Sequence, residues 1–256
     1  MKVESKTNRI NVLTGAILTV LGVFAVIFTR TNAIAEEASD GAKWLYALAL
    51  ILVLVGILVL ITGFGKEPKK TDVRTLTTAA LMAALCYIGF AFFKIDIAVG
   101  TERTSFHFGN VFCVLAALLL GGLWGGLSGA VGMTIGDLLT GYITSAPKTF
   151  LLKLCIGLIT GLFAHRVFKL KEETNKKNIT WKTAVSAVCG MAFNVVADPV
   201  VGYFYKTYLF GIPQDMAKTL AKISAGTTLV NAVVAVMAAT FFYLALRPAL
   251  KRSGLM

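Results

Sequence analysis

Apolar stretches long enough to cross a lipid bilayer recur along this chain, and that leaves few folds open. Runs of about 20 residues lie near Ile10–Thr29, Trp44–Phe64, Thr75–Phe93, Phe150–Phe168, Thr183–Tyr205 and Leu220–Leu246. Inside a bilayer each segment must satisfy its own backbone N–H and C=O groups, so these runs are expected as helices. A further stretch, Thr104 to Gly136, holds no Asp, Glu, Lys or Arg. As one helix it would be about 50 Å long, against a hydrocarbon core of roughly 30 Å. The run Gly121-Gly122-Leu123-Trp124-Gly125-Gly126 offers a break, giving two helices, Phe108–Leu120 and Leu123–Leu139. The expected fold is therefore all-α: a polytopic membrane protein with eight spans. Composition agrees. Of the 256 residues 57% are hydrophobic and 15% charged, against roughly 25% charged in a soluble domain. An ordinary soluble domain, a disordered chain and a disulfide scaffold are excluded.

The formal charge is nevertheless +12, and its placement gives sidedness. One set of loops holds Lys2, Lys6, Arg9; Lys66, Lys69, Lys70, Arg74; Arg166, Lys169, Lys171, Lys176, Lys177, Lys182; and Arg247, Lys251, Arg252, which is 16 of the 25 basic residues. The opposite loops hold as many acids as bases. Basic loops stay cytoplasmic, so both termini are expected in the cytoplasm of a bacterial cell membrane. The charge then marks topology, and no nucleic-acid partner is implied. An even number of spans is needed, which supports the break at Gly121–Gly126. A cleaved signal peptide is the competing reading of the first span, since Lys2 to Arg9 is basic and Ala33-Ile34-Ala35 resembles a cleavage site. The apolar run exceeds the usual signal core of about 7–15 residues, which favours a retained span.

Gly65-Lys66-Glu67-Pro68-Lys69-Lys70 is a charged, Pro-containing linker. It divides residues 1–70, a two-helix transmembrane hairpin with its linker, from residues 71–256, a six-helix membrane domain. No internal repeat is visible between the halves of the latter, which weakens an inverted-repeat transporter. Small residues recur every four positions at Ala79/Ala83 and Ala80/Ala84, and at Gly121/Gly125/Gly129 with Ser128/Gly132/Gly136. Such faces let helices approach closely. They serve internal packing or, for the alanines, docking of another membrane subunit.

Ionisable groups within spans are costly and point to function. Asp137, Lys148, Lys153, Asp198 and Lys222 all fall toward the outer leaflet or mid-membrane. Lys148 and Lys222 have a second reading, snorkelling to the interface. Neutral polar groups sit at similar depth: Asn110, Tyr142, Asn194, Tyr203 and Asn231. Asn194 and Asp198 share a helix face. An amide-and-aromatic lining suits a flat, polar small molecule. The histidines are His107, in an outer loop, and His165, near the basic interface. No metal-ligand spacing, nucleophile elbow, P-loop or CxxC is present, so neither a cofactor nor an enzyme activity is expected. Cys86, Cys113, Cys155 and Cys189 read as buried hydrophobes.

Three stretches carry a family resemblance. They are Leu76-Thr77-Thr78-Ala79-Ala80-Leu81-Met82-Ala83-Ala84; Phe106-His107-Phe108-Gly109-Asn110-Val111-Phe112 leading into Leu118-Leu119-Leu120-Gly121-Gly122-Leu123-Trp124-Gly125; and Gly136-Asp137-Leu138-Leu139-Thr140-Gly141-Tyr142 continuing to Ala146-Pro147-Lys148-Thr149-Phe150 and Lys153. In order and spacing they resemble the substrate-binding S components of energy-coupling factor (ECF) vitamin transporters, in the branch for riboflavin, hydroxymethylpyrimidine or pyridoxine. The resemblance implies six core helices, cytoplasmic termini and an outward-facing vitamin site. Asn110, Asp137, Tyr142, Lys153, Asn194, Asp198, Tyr203 and Lys222 are the candidates to line that site. It also implies that Ala79, Ala80, Ala83 and Ala84 face a transmembrane coupling subunit driven by two cytoplasmic ATPases. The N-terminal hairpin departs from the six-span pattern. The alternative class is an ion- or proton-coupled transporter with Asp137 and Asp198 as relay carboxylates.

Overall fold

The computed structural model describes residues 72–99 and 102–252. The N-terminal hairpin, its linker and the signal-peptide question lie outside the described residues. Two compact units are present. The larger, Lys70–Pro199 with Lys222–Met256, begins with helix α1 (Val73–Ala91). Strands β1 (Lys94–Val99) and β2 (Glu102–His107) follow, then α2 (Gly109–Leu120), α3 (Gly122–Leu139) and α4 (Ala146–Leu162). Helix α4 runs on through a π-helical turn, Phe163–Val167. Helices α5 (Lys176–Phe204) and α6 (Gln214–Arg252) supply the rest. In the other unit the described residues are Val200–Ala221. They hold the end of α5, a π-helical turn at Tyr205–Leu209 and the start of α6, joined across Gly211 at φ +64°.

The stretches Val73–Ala91, Ile143–Val167, Lys176–Leu209 and Gln214–Arg252 are long and apolar enough to cross a membrane. The expected break falls at Gly121, whose φ of +93° only glycine adopts without strain. Two expectations change. Phe108–Leu120 was expected as a full span, but α2 has 12 residues and at about 18 Å is shorter than a hydrocarbon core. The segment before it, expected as a loop, is an antiparallel hairpin, with Lys94 opposite His107 and Val99 opposite Glu102. Its signal was the alternation Lys94-Ile95-Asp96-Ile97-Ala98-Val99, a strand period set among helices.

Helix α3 organises the packing because its glycines give it three close faces. A Cβ on Gly132 would strike the Ala83 carbonyl of α1, one on Gly129 would strike Cys113 of α2, and one on Gly126 would lie 2.8 Å from the Leu154 carbonyl of α4. The approach to α4 is mutual, since Gly157 and Gly161 back onto Gly126 and Gly122. Ser128 adds a hydrogen bond across helices, donating to the Ala79 carbonyl at 2.8 Å. These contacts use Ala79 and Ala83 internally, whereas Ala80 and Ala84 stand on the exposed face of α1 with Leu76 and Leu81.

The end of the bundle away from the hairpin is tied by buried Arg247. Its Nη2 donates to the carbonyls of Leu170 at 2.9 Å and Glu173 at 2.6 Å. Glu173 in turn accepts from Lys182 at 2.5 Å, which holds its carboxyl down at about 2.

Replacing Gly157 by Ala forces a Cβ against the α3 backbone and should cost about 1–3 kcal/mol, the usual range for overpacking. Gly226→Ala meets open space and should be neutral or stabilising by up to about 1 kcal/mol. Thermal unfolding in detergent compares the two; equal stability would contradict the close-packed α3–α4 interface.

Candidate functional site

Five helices, α2 to α6, and the hairpin bring polar groups together at one end of the larger unit. Its centre is Asp198, which precedes Pro199 inside α5. Proline removes a backbone donor within a helix, so this turn has hydrogen bonding to recover from side chains. The Asp198 carboxylate is met from both neighbouring helices. Oδ1 accepts from Lys148 Nζ of α4 at 2.9 Å. Oδ2 accepts from Ser224 at 2.7 Å and Thr228 at 3.2 Å, both on α6. The pair is largely buried, so the ions are worth keeping only with this degree of satisfaction.

Register places the remaining groups. Lys148 meets Asp198, and further along α4 the Ile156 carbonyl and Thr160 meet Gly190 of α5. The two helices therefore run antiparallel, and Lys153 falls level with Asn194, about one turn below the ion pair. Cys113 Sγ of α2 donates to the Lys153 carbonyl at 3.7 Å. That sets Asn110, three residues earlier on α2, beside the same level. Asp137 ends α3 on the ion-pair side, next to Thr149. Asp137 is 2% exposed, Lys153 6%, and Asn110 and Asn194 1% each. Asp137 Oδ2, Asn110 Oδ1 and Asn194 Oδ1 meet no hydrogen-bond donor among the described residues. Lys153 meets no carboxylate within ion-pair distance there. In native interiors nearly all buried polar atoms are paired, so such a cluster marks a place where something polar docks.

The hairpin covers one flank and is held by α6. Asn231 brackets β2: its Oδ1 accepts the His107 N–H at 3.0 Å, and its Nδ2 donates to the Ser105 carbonyl at 3.0 Å. Thr104 and Thr227 hydroxyls meet at 3.1 Å. On the other strand Asp96 accepts from the Tyr142 hydroxyl at 2.7 Å, and Lys94 lies 4.8 Å from the Tyr142 ring centre. Burial, then Asp96, push the Tyr142 hydroxyl well above its usual range, so it stays a donor. Burial and then Lys153 hold His107 down at about 3, so its imidazole is neutral. Its ring stands edge-on to Phe90, 4.9 Å between centres.

Of the residues expected at the site, Asn110, Asp137, Lys153, Asn194 and Asp198 come together, with Tyr142 at the hairpin flank and committed to Asp96. Lys222 is exposed on α6. Tyr203 belongs to the other unit, where its ring stands edge-on to Phe204 at 5.3 Å. The sequence reading missed Ser224, Thr227 and Thr228. Their signal was present: with Asn231 they repeat at three- and four-residue spacing along one face of an otherwise apolar helix.

The profile of the family described as "ECF-type riboflavin transporter, S component" matches residues 70–248. The chain belongs to this family of ECF S components. A similar solved structure is the crystal structure of the S-component for biotin from an ECF-type ABC transporter. The two are 20% identical with a TM-score of 0.49, over 69% of this chain and 94% of that one. No curated protein matches the chain. The family is one of transporter subunits, not of enzymes, and its members are membrane proteins. The cluster around Asp198 therefore lies in an ECF S component, a substrate-binding subunit.

Two outcomes follow from this geometry. Lys148→Met and Asp198→Asn should each cost about 3 kcal/mol by leaving a buried partner unmet, and the double variant should cost less than their sum. Chemical unfolding of the three variants measures this; strict additivity would show that the pair is not coupled. For His107 the folded value lies below the ordinary 6.5, so between pH 6.5 and 3 the unfolded chain binds more protons. Its contribution is complete above pH 6.5 and is lost as pH falls toward 3. His107→Gln should flatten the stability profile in that window, and an unchanged slope would refute the buried neutral imidazole.

Proposed function

We propose that this chain is the high-affinity, outward-facing binding subunit of an ATP-driven importer for a water-soluble vitamin or precursor. The substrate is a B6 vitamer, hydroxymethylpyrimidine or a riboflavin-like molecule. The observation that carries this reading is the group of buried, unmatched polar atoms of Asp137, Asn110 and Asn194 beside Lys153 and the Lys148–Asp198 pair. A lipid-facing bundle has no structural need for it, whereas a polar solute does. Asp198 is poorly suited to relay protons, since three donors already hold its carboxylate.

The six helices from α1 to α6 form the binding domain, with both termini cytoplasmic in a bacterial cell membrane. The chain hydrolyses nothing itself. It works with a transmembrane coupling subunit and two cytoplasmic ATPases, and reorients against the coupling subunit to release substrate. The exposed face of α1, with Ala80 and Ala84, is the contact for that subunit. Ala79 and Ala83 support it from behind through α3.

Uptake of labelled substrate by cells expressing the chain should require the coupling and ATPase subunits and survive collapse of the proton gradient. Ala84→Trp should abolish uptake and coupling-subunit pull-down while leaving substrate binding unchanged. Uptake without ATPases, or equal loss of binding and uptake in the variant, would contradict the assignment.

A further inference from the structure

The two carboxylates and two ammonium groups of the site are not equivalent. Asp198 is closed, its oxygens taken by Lys148, Ser224 and Thr228. Asp137, approached by the Thr149 hydroxyl, and Lys153 have no ionic partner among the described residues. Both are almost completely buried and lie within electrostatic reach of each other, yet they form no ion pair. Asp137 Oδ2 meets no donor and Lys153 no carboxylate among the described residues. A buried unpaired charge is expensive, and a site that keeps two of opposite sign needs both met. A monoanion would close Lys153 and be repelled by Asp137. A monocation would do the reverse. An uncharged molecule would leave each without a counter-charge in direct contact, with only the longer-range fields of the Lys148–Asp198 pair and of each other. Two further unmatched atoms of the cluster, Asn110 Oδ1 and Asn194 Oδ1, are acceptors and call for N–H or O–H donors; His107 Nδ1 is likewise unmatched nearby.

We propose that the site selects a dipolar ligand of zero net charge. Such a ligand presents a cationic N–H to Asp137 and an anionic oxygen to Lys153, with further hydroxyl or N–H donors for Asn110 and Asn194. This rests on the binding role proposed above and narrows it to a charge class. Lys148 and Asp198 then act as a fixed ion pair that positions α4 and α5 around the ligand.

Equilibrium dialysis of the full chain in detergent at pH 7 tests the class with four probes. Pyridoxine is a hydroxypyridine whose neutral form is largely a pyridinium–phenolate dipole; biotin is a monoanion, thiamine a cation and riboflavin uncharged. Pyridoxine should bind about 100-fold more tightly than the other three, the difference expected when a buried charged contact is made rather than left unmet. Neutralising one partner should shift the preference: Lys153→Met should gain affinity for thiamine, and Asp137→Asn for biotin, each losing pyridoxine. Tightest binding of biotin, thiamine or riboflavin by the unaltered chain would overturn the dipolar class and leave the binding role standing. Retention of none of the four, nor of hydroxymethylpyrimidine run beside them, would overturn both.

Discussion

A carboxylate placed in the apolar half of a helical bundle has to be met from several sides, and Asp198 is met from two neighbouring helices at once. Lys148 reaches it from α4; Ser224 and Thr228 reach it from α6. Three helices are thereby held in one mutual register. Because α4 and α5 run antiparallel, that register also sets Lys153 level with Asn194. The groups of the polar cluster are placed by the ion pair as much as they neighbour it. Without its partners Asp198 would be an uncompensated charge, and the helices bearing the polar cluster would lose their common reference.

Packing elsewhere follows a different rule. The interior of α1–α4 is built on backbone proximity, with α3 offering one glycine face to each of its three neighbours. In lipid there is no hydrophobic gain from joining helices, so close contact and a few hydrogen bonds, such as Ser128 to the Ala79 carbonyl, supply the cohesion. The consequence is a division of labour within the larger unit. The glycine-faced helices form a tightly fitted block that supports the exposed alanines of α1. The polar residues of α2, α4, α5 and α6, with Asp137 from the end of α3, meet at the hairpin end, where Asn231 and Thr227 also fasten β2.

Much of this was legible in the residues. The break at Gly121, the limits of α1 to α4 within a few positions, and the convergence of Asp137, Lys153, Asn194 and Asp198 all follow from apolar periodicity and the cost of buried charge. By contrast, α5 starts at Lys176 and α6 runs from Gln214 to Arg252, beyond the apolar runs that marked them. The β-hairpin was hidden because a short alternating run between two apolar helices reads as a loop. Partnerships were hidden too. Nothing local says that Lys148 pairs with Asp198 and Lys153 does not, because that depends on a register set 50 residues away. Arg247, Glu173 and Lys182 read as generic basic-side loop charges, yet they form a specific clamp on the α4–α5 connection. The alanine pairs could not be separated without knowing that α3 lies behind Ala79 and Ala83.

Membership of the ECF S-component family and the geometry of the cluster meet in one claim: the buried polar atoms beside Asp198 hold the transported solute. The most direct measurement is mass spectrometry of the small molecules released when the freshly purified chain is denatured, run beside the Asp137→Asn variant. The account predicts one polar molecule of vitamin size, near one per chain, from the unaltered protein and its loss from the variant. Equal release from both, or lipid and detergent alone from the unaltered chain, would contradict it.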